Sequence, residues 1–138
     1  VGTRMNTSAD HPYFDCAYKL QEYASVARRK RSEGKATWPG RKQVFRRFDE
    51  TRDGRRMTGD TLSLENDNVE GMPLLGRVMS DGRRMAPSPP LAEVREQARG
   101  QLASLPPSLR CLDAAPPYAV GVSEPLRELA RRVDLRRC

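Results

Sequence analysis

One five-residue string, Asp-Gly-Arg-Arg-Met, occurs twice, at residues 53–57 and 81–85, and it limits the possible folds more than any other feature. Asp-Gly supplies the positive-φ pair that a tight hairpin turn favours, so each copy predicts a hairpin tip. The flanks agree. "KQVFRRFD" runs into the first tip, "TLSLEND" beyond it alternates Leu62 and Leu64 with polar residues, and "LLGRVM" leads into the second. Upstream, "AYKLQEYASV" (17–26) sets Tyr18 and Leu20 opposite Lys19 and Gln21, the period-two pattern of a half-buried strand. Residues 17–85 are therefore read as a β-rich hairpin region. The repeat itself reflects turn chemistry and a biased composition, and carries no function.

"APSPP" (86–90) breaks the pattern. From Leu91 the apolar positions Leu91, Val94, Ala98, Leu102 and Leu105 fall at helical spacing, with Ser88 and Pro89 placed to start a helix and Pro106-Pro107 to end it. "YAVGV" then predicts a short strand, and Ser123 an N-cap for a helix that carries Leu126, Leu129, Ala130 and Val133 on one face. The predicted order is strand, hairpins, helix, strand, helix: an α/β chain.

Composition narrows the function classes. The 138 residues carry a formal charge of +7, which raises nucleic acid, an acidic membrane surface or phosphorylated ligands as partners. Only four basic residues are Lys (Lys19, Lys30, Lys35, Lys42), and acids are interleaved among the arginines, as in "RRFDETRDGRR". That pattern reads as a solvated mixed-charge surface, with neither nucleic acid nor membrane expected as a partner. Cys16, Cys111 and Cys138 lack CxxC spacing and the single histidine is His11, so reduced thiols in a cytoplasmic protein are expected, without a structural zinc site. No apolar run approaches the roughly 20 residues that span a bilayer. The chain opens on Val1 in the middle of "VGTR", which reads as a cut edge.

Candidate chemistry concentrates in two stretches. In "KRSEGKATWPGRK" (30–42), Gly34-Lys35 followed by Thr37 suggests the end of a P-loop. Arg29 stands where the first Gly belongs, however, and Ala36 follows the Lys, so that match fails. Lys30 and Lys35 around Ser32 and Gly34, with Thr37 beyond, still combine cations and hydroxyls that suit a polyphosphate on extended backbone. In "VGTR", Gly2 and Thr3 can donate to a phosphate if a strand precedes them and a helix follows. The other groups read more simply. Asp10, Asp15, Glu22 and Glu33 have no dyad spacing, His11 before a Pro is a surface loop residue, and Trp38 beside Pro39-Gly40 packs over a core edge.

Taken in order and spacing, "VGTRMNTSAD", "YKLQEYA", "KRSEGKATWPGRKQVFRR", "GDTLSLE", "PLLGRVMSDGRR", "LAEVREQARGQLASLP" and "YAVGVSEPLRELA" resemble the closing part of nicotinate phosphoribosyltransferase. Each motif is weakly specific, but their ordered combination is strongly so and covers nearly all of the chain. The resemblance implies the C-terminal part of a type II phosphoribosyltransferase. Residues 1–16 would end an irregular α/β barrel with a phosphate-binding turn, 17–85 would be the β-rich hairpin region, and 86–138 a C-terminal helical segment packing on an α/β sandwich domain.

The implied activity forms nicotinate mononucleotide and pyrophosphate from nicotinate and phosphoribosyl pyrophosphate in NAD salvage. ATP and Mg2+ would serve the full-length enzyme, usually a homodimer with active sites near the subunit interface. Carried over residue by residue, Gly2 and Thr3 match the turn that holds the ribose 5′-phosphate, in keeping with ligands at the C-terminal ends of barrel strands. Arg4 lies beside it. Lys30 and Lys35 match the family's Lys-Ser-Glu segment, as one wall of the phosphate or pyrophosphate region or as a lysine-bearing surface hairpin. The family's phosphorylatable histidine and the arginine that meets the nicotinate carboxylate would lie upstream, and His11 does not match that histidine's context. The chain alone is thus expected to be inactive. The contrasting reading is a non-catalytic basic module that binds nucleic acid on the same scaffold.

Overall fold

The computed structural model describes residues 19–31, 33–34, 36–52, 54–111 and 115–136. Its centre is a long hairpin in which β3 (Lys42–Thr51) runs antiparallel to β4 (Gly54–Leu64). Two smaller hairpins flank it in sequence, β1 (Glu22–Tyr23) with β2 (Val26–Ala27), and β6 (Met79–Ser80) with β7 (Arg83–Arg84). Between β4 and β6, β5 (Met72–Pro73) adds to the outer side of β3. After the helix α1 (Leu91–Ala103) and a 3-10 turn at Pro107–Arg110, β8 (Val120–Val122) joins β4 in parallel. The resulting sheet has the order β5-β3-β4-β8, and α2 (Glu124–Leu135) follows β8 directly. This is a mixed α/β fold.

Both repeats coincide with hairpin ends, although Asp53 of the first lies outside the described residues. At the second, Asp81 (φ 50°) and Gly82 (φ 73°) are both left-handed and connect Ser80 to its partner Arg83, as a primed two-residue turn requires. At the first, Thr51 pairs with Gly54, so Gly54 (φ 105°) is already the first residue of β4. The register slips once. Arg47 faces Gly59 and Phe48 faces Met57, leaving Thr58 as the extra residue of a β-bulge. The bulge explains why Met57 and Asp60, three apart, are both buried, which uninterrupted alternation in a strand covered on one face would not allow.

The described core lies between β4 and α2. Leu126 is wholly buried, Ala130 and Met57 nearly so, and Ser63 is wholly buried as well. The Ser123 N-cap is present: its hydroxyl accepts from the Leu126 N–H and donates to the Asp67 carboxylate at 2.9 Å. Gly40 (φ 78°) brings its backbone against this core, where an added Cβ would meet Leu129 Cδ2 at 2.9 Å.

Four expectations need correction. Among the described residues, the single strand expected over 17–26 is broken: Glu22–Tyr23 ends where Ala24 and Ser25 turn left-handed (φ 47° and 60°), and Val26 already begins the returning strand of a hairpin. The Leu62/Leu64 alternation is inverted, since Ser63 is more deeply buried than either leucine. Helix α1 is capped by Pro90 without a side-chain hydrogen bond, and ends at Ala103 before the prolines. Its apolar positions Leu91, Val94 and Leu102 are exposed; the helix attaches at its far end, where Met57 N–H donates to the Ser104 carbonyl and Arg56 to the Leu105 carbonyl. No helix among the described residues is long and apolar enough to cross a membrane.

Candidate functional site

From Arg28 the chain leaves the β1–β2 hairpin, and at Lys42 it enters β3. Lys30 and Thr37 close the loop: the Lys30 N–H donates to Thr37 Oγ1 at 3.0 Å, and the Thr37 N–H donates to the Lys30 carbonyl at 3.1 Å. Gly34, at the far side, has φ 64° and open space where a Cβ would stand. Thr37 is buried, so the hydroxyl counted in sequence among possible ligand groups serves as the loop's clasp.

Beyond the clasp the chain is held tightly. Pro39 is fully buried, and the Gly40 N–H donates to the Gln21 carbonyl at 2.8 Å. Lys42 turns its ammonium inward to donate to the Trp38 and Gly40 carbonyls at 2.9 and 2.6 Å. Burial lowers the Lys42 pKa below its ordinary value, with Glu22 opposing the shift. Trp38 is half-buried, in keeping with a core-edge residue.

Before the clasp, the loop is tied to the far end of the chain. Arg29 Nη1 meets Asp134 Oδ2 at 3.1 Å and Arg31 Nε meets Asp134 Oδ1 at 2.8 Å, while Arg31 Nη2 donates to the Val133 carbonyl at 3.3 Å. Between these two arginines the Lys30 side chain is exposed, and among the described residues it has no ion-pair partner. An exposed ammonium on a clasped, cross-tied loop can meet an anion.

A second polar cluster lies within the sheet. Arg46 on β3 grips Asp60 on β4 through two bonds of 2.8 and 2.7 Å, and the Tyr118 hydroxyl donates to the same carboxylate at 3.1 Å. The Arg46 hydrogen bond holds the Asp60 carboxyl below its usual range and, in return, raises the Arg46 guanidinium. Burial, then the Asp60 carboxylate, pushes the Tyr118 phenol up. Every donor points at one carboxylate, so this cluster ties strands together and leaves no group free to react.

Part of the positive charge is taken up in ion pairs. Seven arginines (Arg29, Arg31, Arg41, Arg46, Arg55, Arg99 and Arg131) pair with carboxylates, which matches the interleaving of charges in sequence. Glu22 is one of these partners, to Arg41 at 2.8 Å. Among the described residues no group of three or more His, Cys, Asp or Glu side chains could hold a metal ion. Of the candidates for phosphate contact, Lys30, Gly34 and Thr37 lie among the described residues; Gly2, Thr3, Arg4, Ser32 and Lys35 lie outside them, as do Asp10, His11 and Asp15.

Asp134 is the residue that sequence reasoning missed. A signal was available: an acid in the last turn of a helix opposes the helix dipole, and "RRVDLRR" puts one there amid arginines. Such an acid calls for a cation from elsewhere in the fold. Asp60 and Tyr118 gave no comparable sign.

Known proteins supply the context. The model of the nicotinate phosphoribosyltransferase C-terminal domain matches residues 67–130. Nicotinate phosphoribosyltransferase pncB2 of Mycobacterium tuberculosis is 43% identical over 134 residues, which is 95% of this chain and 28% of that protein. The Bos taurus nicotinate phosphoribosyltransferase is 29% identical over 160 residues, with 99% of this chain and 29% of that protein covered. The crystal structure of human nicotinic acid phosphoribosyltransferase superposes with a TM-score of 0.62 at 28% identity, over 77% of this chain and 25% of that one. The chain therefore spans under a third of the length of these relatives. With its motifs in order, its fold matched and its sequence aligned almost end to end, the chain belongs to the nicotinate phosphoribosyltransferase family, as its C-terminal region.

Proposed function

We propose that this chain acts as the C-terminal part of an enzyme that joins nicotinate to phosphoribosyl pyrophosphate, forming nicotinate mononucleotide and pyrophosphate. The observation that carries the reading is the exposed Lys30 ammonium on a loop clasped by Thr37 and tied to α2. As pyrophosphate departs, negative charge grows on its bridging oxygen, and a preplaced cation lowers the energy of that charge without reorganising. Lys30 and Lys35 have this part, while Gly2 and Thr3 hold the ribose 5′-phosphate. Coupling to ATP, a homodimeric assembly and a cytoplasmic setting complete the proposal, on the strength of the family resemblance. This region's own part in the chemistry is the placement of cations. Turnover belongs to a longer protein, and the 138-residue chain alone is expected to be inactive.

The test uses the intact enzyme with nicotinate, phosphoribosyl pyrophosphate and ATP, measuring formation of the mononucleotide. Loss of a charge-assisted contact costs about 1.5–3 kcal/mol, so Lys30→Ala and Lys35→Ala should each lower kcat/KM for phosphoribosyl pyrophosphate roughly 10- to 100-fold. Unchanged kinetics in both variants would refute the assignment.

A further inference from the structure

The Lys30 loop is held by a residue that sequence reasoning left out. Arg29 and Arg31, the two neighbours of Lys30, both reach one carboxylate at the end of α2, at 3.1 and 2.8 Å. Each oxygen of Asp134 receives one arginine, and Arg31 adds a bond to the carbonyl of Val133. The arrangement is more constraining than an isolated surface pair. The Arg29 side chain is only 14% exposed, and its buried Nε has no acceptor among the described residues, so its charge relies on Asp134. The helix benefits in return, because two cations offset an acid that its dipole disfavours and one of them caps an end carbonyl.

Geometry turns this tie into a positioning device. With residues 29 and 31 pinned to the helix end and residue 37 clasped to residue 30, the Lys30 backbone is fixed on both sides while its side chain is left outside. Without the tie, two arginines on a polar loop would be free to approach the same anion as Lys30 or to swing away from it. We infer that Asp134 is a positioning residue for anion binding by the Lys30 loop. It touches no substrate and acts through Arg29 and Arg31; the role rests on the proposed function of that loop.

The experiment compares Asp134→Asn, Asp134→Glu and Lys30→Ala in the intact enzyme. Two readouts are taken: amide hydrogen exchange over residues 28–38, and KM for phosphoribosyl pyrophosphate with kcat measured separately. Asn removes the charge and one acceptor, so exchange at the Lys30 and Thr37 amides should accelerate by roughly tenfold as the local opening becomes easier. The value of kcat/KM for phosphoribosyl pyrophosphate should fall about 3- to 10-fold, with kcat carrying the part that Lys30 contributes only as pyrophosphate departs. Asp134→Glu, which restores the carboxylate, should recover most of both effects. If Asp134→Asn changes neither exchange nor kcat/KM while Lys30→Ala lowers kcat/KM, or if it loosens the loop without moving kcat/KM, the positioning role is overturned and the loop's function stands. If Lys30→Ala leaves kcat/KM for phosphoribosyl pyrophosphate unchanged, the function proposed for the loop fails and the positioning role fails with it.

Discussion

Replacing Asp60 by Ala strands a guanidinium. Arg46 and Asp60 face each other across β3 and β4 with side chains 21% and 12% exposed, and two short bonds join them. Removing one partner of a fully buried pair costs about 3–5 kcal/mol. Because Arg46 keeps some contact with water, screening brings the expected loss down to about 2–3 kcal/mol. For a chain of this length each kcal/mol lowers the unfolding midpoint by roughly 3–4 °C, giving a fall of about 6–12 °C for Asp60→Ala. Tyr118→Phe removes a single bond to the same carboxylate and should cost about 0.5–1.5 kcal/mol, roughly 2–5 °C. The double replacement Arg46→Met with Asp60→Leu removes both charges together, and should return to within about 1 kcal/mol of the wild type, since apolar groups of similar size replace such pairs at little cost. Thermal unfolding followed by circular dichroism measures all three. A double variant as unstable as Asp60→Ala would show that the damage comes from lost packing and not from an orphaned charge, and the reasoning would be refuted.

Other outcomes follow from the same contacts. Asp60 titrates below its ordinary value when folded, so its contribution is fully present above about pH 4 and is lost as pH falls through the lowered folded value; Asp60→Asn should flatten the acid limb of a stability–pH curve. Tyr118 is raised, so the opposite sign applies: its contribution holds below its ordinary value of 10.0 and is lost as pH rises through the folded value, a limb that Tyr118→Phe should remove from the same titration. Gly40→Ala places a methyl 2.9 Å from Leu129 Cδ2 at a left-handed residue, and should lower stability by about 1–3 kcal/mol in a urea titration. Ser123→Ala removes both the helix cap and the Asp67 contact and should cost about 1–2 kcal/mol, whereas Ser123→Asp, which caps but repels Asp67, should recover little of it.

Local chemistry made much of the fold legible. Asp81-Gly82, the Ser123 cap and the Leu126–Ala130 stripe are short-range signals, each decided by residues within a few positions. What escaped depends on distant partners. Ser63 is polar in sequence and wholly buried because β4 is covered by residues far along the chain, and a strand in the centre of a sheet need not alternate. The Thr58 bulge shifts which residues face inward, and no composition rule locates it. The turn at Ala24-Ser25 lacks the Gly or Asn that would announce it. In the site, the Lys-rich loop was visible as an unusual polar segment, but its anchor was not: Arg29 and Arg31 looked like two more arginines in a chain full of them until Asp134 was brought beside them.

The parallel pairing of β8 with β4 also sets an order of events during synthesis. The β3–β4 hairpin joins near neighbours and can close within microseconds of leaving the ribosome. Strand β8 and helix α2 must wait for the crossover through α1, and the Arg29–Asp134 bond spans 105 residues. Until α2 docks, one side of β4 is bare and the Lys30 loop has no tether. A nascent chain halted before β8 would thus carry the β4 edge exposed and open to pairing with another copy. Strand β8 covers that edge and α2, which follows it directly, tethers the Lys30 loop, so the two events are joined in one stretch of chain.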